Sequence, residues 1–438
     1  MSVVFALATP PAKSAICIFR VSGPGCLSKI PALTGSKLEK NKKFYLRPVK
    51  NERGDVVDRA GIITFKGPDS YTGEDSFEVH AHGGLGVMAM LVSVFKSFGF
   101  DEAPPGEFTK RAFLNNKISL AEAEAVVDLI DSHDRGGVVL SAKTLSGDFT
   151  KKVLELSGVI NNLRVRVEGE IDFSDEGESF FDSSLPNELS LLIENFKLFV
   201  GGCLNRKNHS VKNKIMFLGP VNSGKSSVFN RLLGFERALV SDRPGTTRDL
   251  IESEIFYNEV SFSISDTAGL RETEDVVESK GMQFALENLD SADLVIGVFD
   301  SDEGSILDKF SELAKEKKYL KIYNKTDLGN VVKEGVFDCM VSAKSGEGFD
   351  ELKKLISKTF KSSVSSDYTY LVRDRHIKLF QSSVNYLENA YLKLNERGGL
   401  ELVAEDLKLA RNDLNEIVGV KMPDSLLGDI FSSFCIGK

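Results

Sequence analysis

The nine residues GPVNSGKSS (219–227) constrain the fold of this chain more than any other stretch. They match the pattern GxxxxGK[ST] in full, follow the apolar run KIMFL and precede the helix-compatible run SSVFNRLLG. Such a loop works between a strand and a helix. Its glycines let backbone N–H groups turn towards a phosphate, and the helix N-terminus adds its positive end. The alternation continues from 211 to about 360, where KIMFLG, VSFSISD, DLVIGVFD, YLKIYNK and DCMVSAK are strand candidates. Helical stretches between several of them predict βαβ units and a mostly parallel sheet.

The flanks have a different character. Before 118, AICIFRVSG and AGIITFKG are short β-rich runs closed by glycine, DSFEVHAHGG alternates, and VMAMLVSVFKSFGF reads as a helix ended by Gly99. Ser119 with Glu122 forms a capping box that opens a helix. Val153, Leu156, Ile160, Leu163, Val167 and Ile171 then recur at three- and four-residue steps, and LSLLIENFKLFV follows an acidic loop. From about 370 the helical stripe returns, first with Phe380, Val384, Leu387, Tyr391 and Leu394, then with Leu407, Ala410, Leu414 and Ile417. The expected fold is multidomain, α/β plus all-α. An N-terminal α/β domain spans 1–118, a discontinuous helical domain spans 119–210 and 361–438, and a Ras-like P-loop domain, 211–360, is inserted in it. Insertion succeeds where termini lie close together; two separate helical domains are the alternative.

Composition narrows the partners. With 55 Lys and Arg against 64 Asp and Glu, the net charge is -9, so any nucleic-acid contact requires a local basic patch or a second protein. Cys17, Cys26, Cys203, Cys339 and Cys435 are scattered with no CxxC spacing, which suits a reduced cytoplasmic protein without a zinc site. The N-terminus is a poor signal peptide, and no apolar run approaches the roughly 20 residues of a membrane span. His80 and His82 lack a third ligand and read as ordinary strand residues.

The nucleotide chemistry follows from spacing. Asn222, Ser223, Gly224, Lys225, Ser226 and Ser227 form the phosphate cradle, with Lys225 reaching the β/γ oxygens and Ser226 offering its hydroxyl to Mg²⁺. NKTD supplies Asn324, Lys325 and Asp327, whose carboxylate can accept from two guanine N–H donors that adenine lacks. Ser342, Ala343 and Lys344 follow on the next strand at GTPase spacing. PGTTRD (244–249) places Thr247, with Thr246 beside it, where a switch threonine closes on Mg²⁺; in DTAG, Asp266 would hold the metal through water and Gly269 would touch the γ-phosphate. This domain is expected to bind GTP.

The residue after DTAG is Leu270, where small GTPases use a glutamine to orient water. Transition-state charge then needs an arginine finger or a monovalent cation. Asn222 offers a side-chain carbonyl for such an ion, or it only braces the loop. For the water, Glu272, Glu274, Asp275 and Glu278 are available, unless they are merely the solvated face of a switch helix.

GPVNSGKSS, GTTRD, DTAGLRET and NKTD, set within a helical domain and followed by a terminal FCIGK, resemble the MnmE (TrmE) family of tRNA-modification GTPases. The resemblance covers essentially the whole chain, including SYTGEDSFEVHAHGG (70–84) and PGEFTKRAFLNNKISLAEAEAV (105–126). It implies a potassium ion at Asn222, with Ser241, Arg243 and Thr246 as loop contacts, and a catalytic carboxylate at Glu278. It implies a 5-formyl- or methylene-tetrahydrofolate pocket in the N-terminal domain using Arg20, Glu78 and Lys117, with Lys438 near it and Cys435 functionally important. It further implies a homodimer, a separate FAD-dependent partner protein, and tRNA as substrate, modified at C5 of the wobble uridine by carboxymethylaminomethyl addition. Without the resemblance, the charged residues read as surface groups, and Cys435 as a residue in a fraying terminus. Ala12, Ser14 and Ala15 stand where the family commonly has glycine. A ribosome-assembly GTPase switch is the rival reading, but no basic RNA-binding segment follows residue 360. A folate-dependent aminomethyltransferase with an acquired GTPase is another; it would turn over without a partner.

Replacing sodium by potassium at constant ionic strength is expected to raise GTP turnover steeply, and Asn222→Ala to abolish that response. Equal rates in the two salts would remove the cation from the mechanism.

Overall fold

The computed structural model describes residues 2–38, 40–132, 134–174, 184–206, 213–235, 252–257, 260–265, 289–290, 292–329, 335–360, 368–396, 399–420 and 424–438. The chain divides into two compact units. One comprises Met1–Asp131, Leu140–Asn205 and Thr369–Lys438; the other comprises Ser132–Val139 and Arg206–Tyr368.

The first unit begins with a six-stranded sheet of β1 (Val4–Leu7), β2 (Ile16–Ser22), β3 (Tyr45–Lys50), β4 (Val56–Phe65), β5 (Ser76–His82) and β6 (Asp101–Glu102), in the order β3-β4-β5-β2-β1-β6. All pairs are antiparallel except β1 with β6. Period-2 alternation splits β2 and β5 between two faces. Cys17, Phe19, Val21, Phe77, Val79 and Ala81 are buried in one core with Leu91, Val94 and Phe95 of helix α1 (Leu85–Ser97). The other face carries the intervening residues. There the register sets Arg20 directly opposite Glu78 and Ile18 opposite His80. The short helix α2 (Glu107–Leu114) follows, then α3 (Leu120–Ile130). The Ser119 hydroxyl accepts from the Glu122 N–H while the Glu122 carboxylate accepts from the Ser119 N–H, so the expected capping box is present.

Helices α4 (Asp148–Ser174) and α5 (Leu185–Gly201) lead into a short strand, β7 (Cys203–Asn205). The second unit then contributes β8 (Asn213–Leu218), helix α6 (Lys225–Phe235), β9 (Glu252–Tyr257), β10 (Val260–Ser265), β11 (Leu294–Phe299), helix α7 (Gly304–Leu313), β12 (Lys318–Tyr323), β13 (Cys339–Met340) and helix α8 (Phe349–Phe360). Its sheet runs β13-β12-β11-β8-β10-β9, parallel throughout except at the edge, where β9 is antiparallel to β10. The strand pattern did not single out β9. DCMVSAK yields only the two residues of β13, because the chain turns at Ser342 to form a loop.

The chain returns to the first unit through β14 (Tyr370–Val372), parallel to β7, and continues into α9 (Asp374–Asn395), α10 (Leu400–Val418) and α11 (Asp424–Ser432). One core joins the helices on both sides of the interruption: Val153, Leu156, Ile160, Leu163 and Val167 of α4 pack with Phe196 of α5, Phe380 and Leu387 of α9, and Leu407, Leu414 and Ile417 of α10. Glu124 of α3, only 2% exposed, lies against a histidine and two arginines, with its Oε2 2.8 Å from His376 Nε2 and 3.1 Å from Arg375 Nη2. Arg373 Nη2 donates to Asp128 Oδ1 at 2.8 Å and to the Glu124 carbonyl at 3.1 Å. No helix among the described residues is long and apolar enough to cross a membrane.

Burial alone would raise the Glu124 carboxyl, but His376, Arg375 and Arg373 outweigh it and hold it at about 2. The folded value lies below the ordinary 4.5, so the stabilisation is full above that value and is lost as pH falls towards 2. Glu124→Gln is expected to cost about 3–5 kcal/mol at neutral pH, because it removes the buried carboxylate that Arg375 and His376 face. The difference from wild type should shrink in urea titrations below about pH 4. A constant difference across pH would mean that the charge is not its source.

Candidate functional site

Four loops meet at the carboxyl ends of the parallel strands of the second unit, the edge where open α/β sheets bind ligands. The 219–227 loop leaves β8 and enters α6, so the backbone N–H groups of its final turn face outward along the helix axis. Gly224 has φ +92, and a Cβ there would overlap the Asn324 side-chain amide, so only glycine lets the two loops close on each other. Lys225 Nζ donates to the carbonyls of Gly219 at 3.0 Å and Pro220 at 2.7 Å, which places the ammonium over the loop. Ser223 is buried, Ser226 is partly exposed in the first turn of α6, and Ser227 is exposed beside it.

The NKTD loop is fastened to the phosphate loop at two points. Asn324, 1% exposed, donates from Nδ2 to the Ser223 carbonyl at 2.9 Å, and its Oδ1 accepts from the Ala343 N–H at 3.1 Å. Asn324 is therefore a strut between three loops. Lys325, in the left-handed region at φ +67, donates from Nζ to the Asn222 carbonyl at 2.7 Å and to Asp300 Oδ2 at 2.6 Å. Asn222 is also left-handed, at φ +62, and exposed; the brace is taken by its backbone carbonyl, and its side chain bonds to no described residue. Asp327 presents a carboxylate oriented by the Ser342 hydroxyl, which donates to Oδ1 at 2.7 Å. Lys344 Nζ lies 4.0 Å from the other carboxylate oxygen and is largely solvated. Asp300 was not singled out in the sequence. It ends the strand DLVIGVFD, and the position of an acid at the mouth of the sheet was its only signal.

Ser241, Arg243, Thr246, Thr247, Asp266, Gly269 and Glu278 lie outside the described residues, as do Leu270, Glu272, Glu274 and Asp275.

The N-terminal candidates divide. Arg20 Nε bonds Glu78 Oε1 at 3.0 Å, and His80 Nε2 lies 3.2 Å from Glu78 Oε2, so the carboxylate sits between a guanidinium and an imidazole. Burial and the Arg20 charge lower the Lys438 ammonium from its usual value, while Cys435 and Glu78 act in the opposite sense, which places these four side chains in one electrostatic neighbourhood. Lys117 lies apart from the cluster in its bonding: its Nζ donates to the Pro68 carbonyl at 3.0 Å. Cys435 is exposed, whereas Cys17, Cys26, Cys203 and Cys339 are buried. Residues 435–438 are tied to the N-terminal sheet and α2 by hydrogen bonds. The Phe108 N–H donates to the Lys438 carbonyl at 3.1 Å, and Arg20 Nη1 donates to the Gly437 carbonyl at 3.3 Å. His82 bonds Asp58, with 2.8 Å from Nδ1 to Oδ1.

A parallel sheet with a phosphate loop, a guanine-type carboxylate and a strut between them defines a P-loop GTPase, an enzyme that hydrolyses GTP. The family model described as "MnmE helical domain" matches residues 120–435, and that described as "GTP-binding protein TrmE N-terminus" matches residues 3–117. The tRNA modification GTPase MnmE of Nitrosomonas eutropha is 36% identical over 99% of this chain and 99% of its own length. The MnmE of Legionella pneumophila subsp. pneumophila gives the same figures, and that of Thermosipho melanesiensis is 35% identical with the same coverage. Among solved structures, the G domain of the T. maritima FeoB iron transporter aligns with 33% of this chain and 97% of itself, at 26% identity and a TM-score of 0.27. This chain belongs to the MnmE family of tRNA modification GTPases.

Asp327→Asn replaces an acceptor oxygen by a donor facing the guanine N–H groups. GTP affinity is expected to fall roughly 10²-fold or more, and XTP, whose C2 carbonyl can accept, should bind better than GTP. Fluorescent-nucleotide titration checks this; unchanged GTP affinity would place the base elsewhere.

Proposed function

We propose that this chain is a potassium-activated GTPase that acts, as a homodimer with a separate FAD-dependent protein, on C5 of the tRNA wobble uridine. The product would carry a carboxymethylaminomethyl or related group, with the one-carbon unit drawn from methylene-tetrahydrofolate. Four segments would divide this work: 1–118 for folate and dimerisation, 119–210 with 361–438 as the helical body, and 211–360 for GTP.

The observation that carries the reading is the gathering of Arg20, Glu78, Lys438 and Cys435 around one face of the N-terminal sheet. One carboxylate and two cations suit a pterin, whose amino-pyrimidine edge donates and whose acidic tail accepts. Lys117, whose Nζ is bonded to the Pro68 carbonyl, would add a third cation. Cys435 stands exposed in the terminal segment whose Gly437 carbonyl Arg20 bonds. In the second unit, Asp327 would select guanine, Lys225 would neutralise the phosphates, and Ser226 would offer its hydroxyl to Mg²⁺ together with Thr247 and, through water, Asp266. The unengaged Asn222 side chain suits a monovalent cation, with Ser241, Arg243 and Thr246 around it. Bound potassium would supply the positive charge that an arginine finger supplies elsewhere. Glu278 would then orient the attacking water through a bridging water. Family membership supports the tRNA substrate. A cytoplasmic location goes with that substrate.

Cys435→Ser is expected to retain potassium-stimulated GTPase activity yet fail to restore modified wobble uridine in a deletion strain, read by nucleoside analysis of its tRNA. Cys17→Ser, altered in the buried sheet face, should restore it. Full restoration by Cys435→Ser would make the thiol incidental.

A further inference from the structure

Arg20 spends its guanidinium on the protein itself. Nε is bonded to Glu78 and Nη1 to the carbonyl of Gly437, and the group lies 5.6 Å from the ring centroid of Tyr71 and 5.8 Å from that of Phe108. A guanidinium that lies near two aromatic rings and is bonded to two partners is held in place by the protein before any ligand arrives. Its second partner belongs to the segment that carries Cys435 and Lys438.

That segment is seated at several further points. The Phe108 N–H donates to the Lys438 carbonyl at 3.1 Å, and the Gly106 N–H to the Cys435 carbonyl at 3.5 Å. Gly437 has φ +87, and a Cβ there would lie 2.7 Å from the Leu7 carbonyl oxygen and 2.8 Å from Ala8 Cα. The residue must be glycine both for its backbone conformation and for this close approach to the end of β1. Upstream, Phe434 packs with Phe431, Leu427 and three residues of α3, Leu120, Ala123 and Val127. The Cys435 position is thus built from α11 on one side and from Arg20 on the other.

We propose that Arg20 is a positioning residue: it latches residues 435–438 onto the N-terminal sheet and so sets where the Cys435 thiol stands. Glu78 holds the same guanidinium, so a ligand that takes up the Glu78 carboxylate competes for the group that holds the latch. Occupation of the cleft and placement of the thiol become linked. The latch itself is independent of any ligand; the link rests on the folate reading of this cleft.

Hydrogen–deuterium exchange of the full-length apo protein tests the latch. In Arg20→Gln, the amides of Gly106 and Phe108 and those of residues 435–438 should exchange roughly tenfold faster, as expected for loss of a charge-assisted hydrogen bond. Exchange in α4, α9 and α10 should stay the same. Gly437→Ala keeps the Arg20–Glu78 pair but cannot seat the segment, and should give the same local increase. Unchanged exchange at 106 and 108 in either variant overturns the latch.

The kinetic arm uses tRNA modification reconstituted with the FAD-dependent partner. A residue that only binds folate would raise the folate KM and leave kcat intact. Arg20→Gln and Gly437→Ala should instead lower kcat at least tenfold at saturating folate. A KM effect alone overturns the proposal. Faster local exchange in a protein whose modification activity ignores folate would keep the latch and remove the folate reading, so the two failures are distinguishable.

Discussion

Glu124 and His376 are 252 residues apart in sequence and 2.8 Å apart in the fold, and both are almost wholly buried. The helical body depends on that closure. Taking one partner away strands charges in an apolar interior, which costs far more than the pair itself contributes. The cluster also caps other elements. Arg375 Nη1 donates to the Glu416 carbonyl at the end of α10, and Asp374 accepts from Asn205 of β7 at 2.7 Å. Helices from before and after the interruption are therefore registered against one another by polar contacts as well as by apolar packing. The polar contacts are directional; the apolar stripe alone would tolerate sliding.

Much of this was legible in the residues. The stripe from Val153 to Val167, the Ser119 capping box and the phosphate loop rest on local periodicity or local spacing, which survives folding unchanged. What stayed hidden was non-local. No spacing rule pairs Glu124 with His376, joins Asp300 to Lys325, or sets Arg20 against both Glu78 and Gly437, because each pairing is decided by strand register or helix docking. The edge strand β9 was passed over for a related reason: ESEIFY has only a weak alternation, and its antiparallel pairing with β10 gives it a place in the sheet. The terminal segment lies beside Arg20 and Glu78, where the resemblance had put it, although its position in the sequence alone gave no such contact.

The two halves of the nucleotide site differ in how they are stiffened. The base side is held by Asn324, whose amide bonds in both directions, and by a serine that orients Asp327. The phosphate side relies on a lysine from the base loop, Lys325, bonded to the backbone of Asn222. Recognition of guanine and shaping of the phosphate loop are thus mechanically one structure. The Asn222 side chain takes no part in that bracing, which is made by its backbone carbonyl.

The short ladder of β7 and β14 is parallel, with Cys203 opposite Tyr370 and Asn205 opposite Val372. From this register, the departure point and the return point lie about 8 Å apart, at opposite ends of the ladder. A parallel pair cannot be closed by a tight hairpin; it needs a crossover of a dozen residues or more. In this chain that crossover is Arg206–Tyr368, the larger part of the nucleotide-hydrolysing unit. For protein engineering, the same site is a graft point: a replacement insert must supply at least the dozen or so residues of a parallel crossover, and beyond that minimum its length is nearly unconstrained.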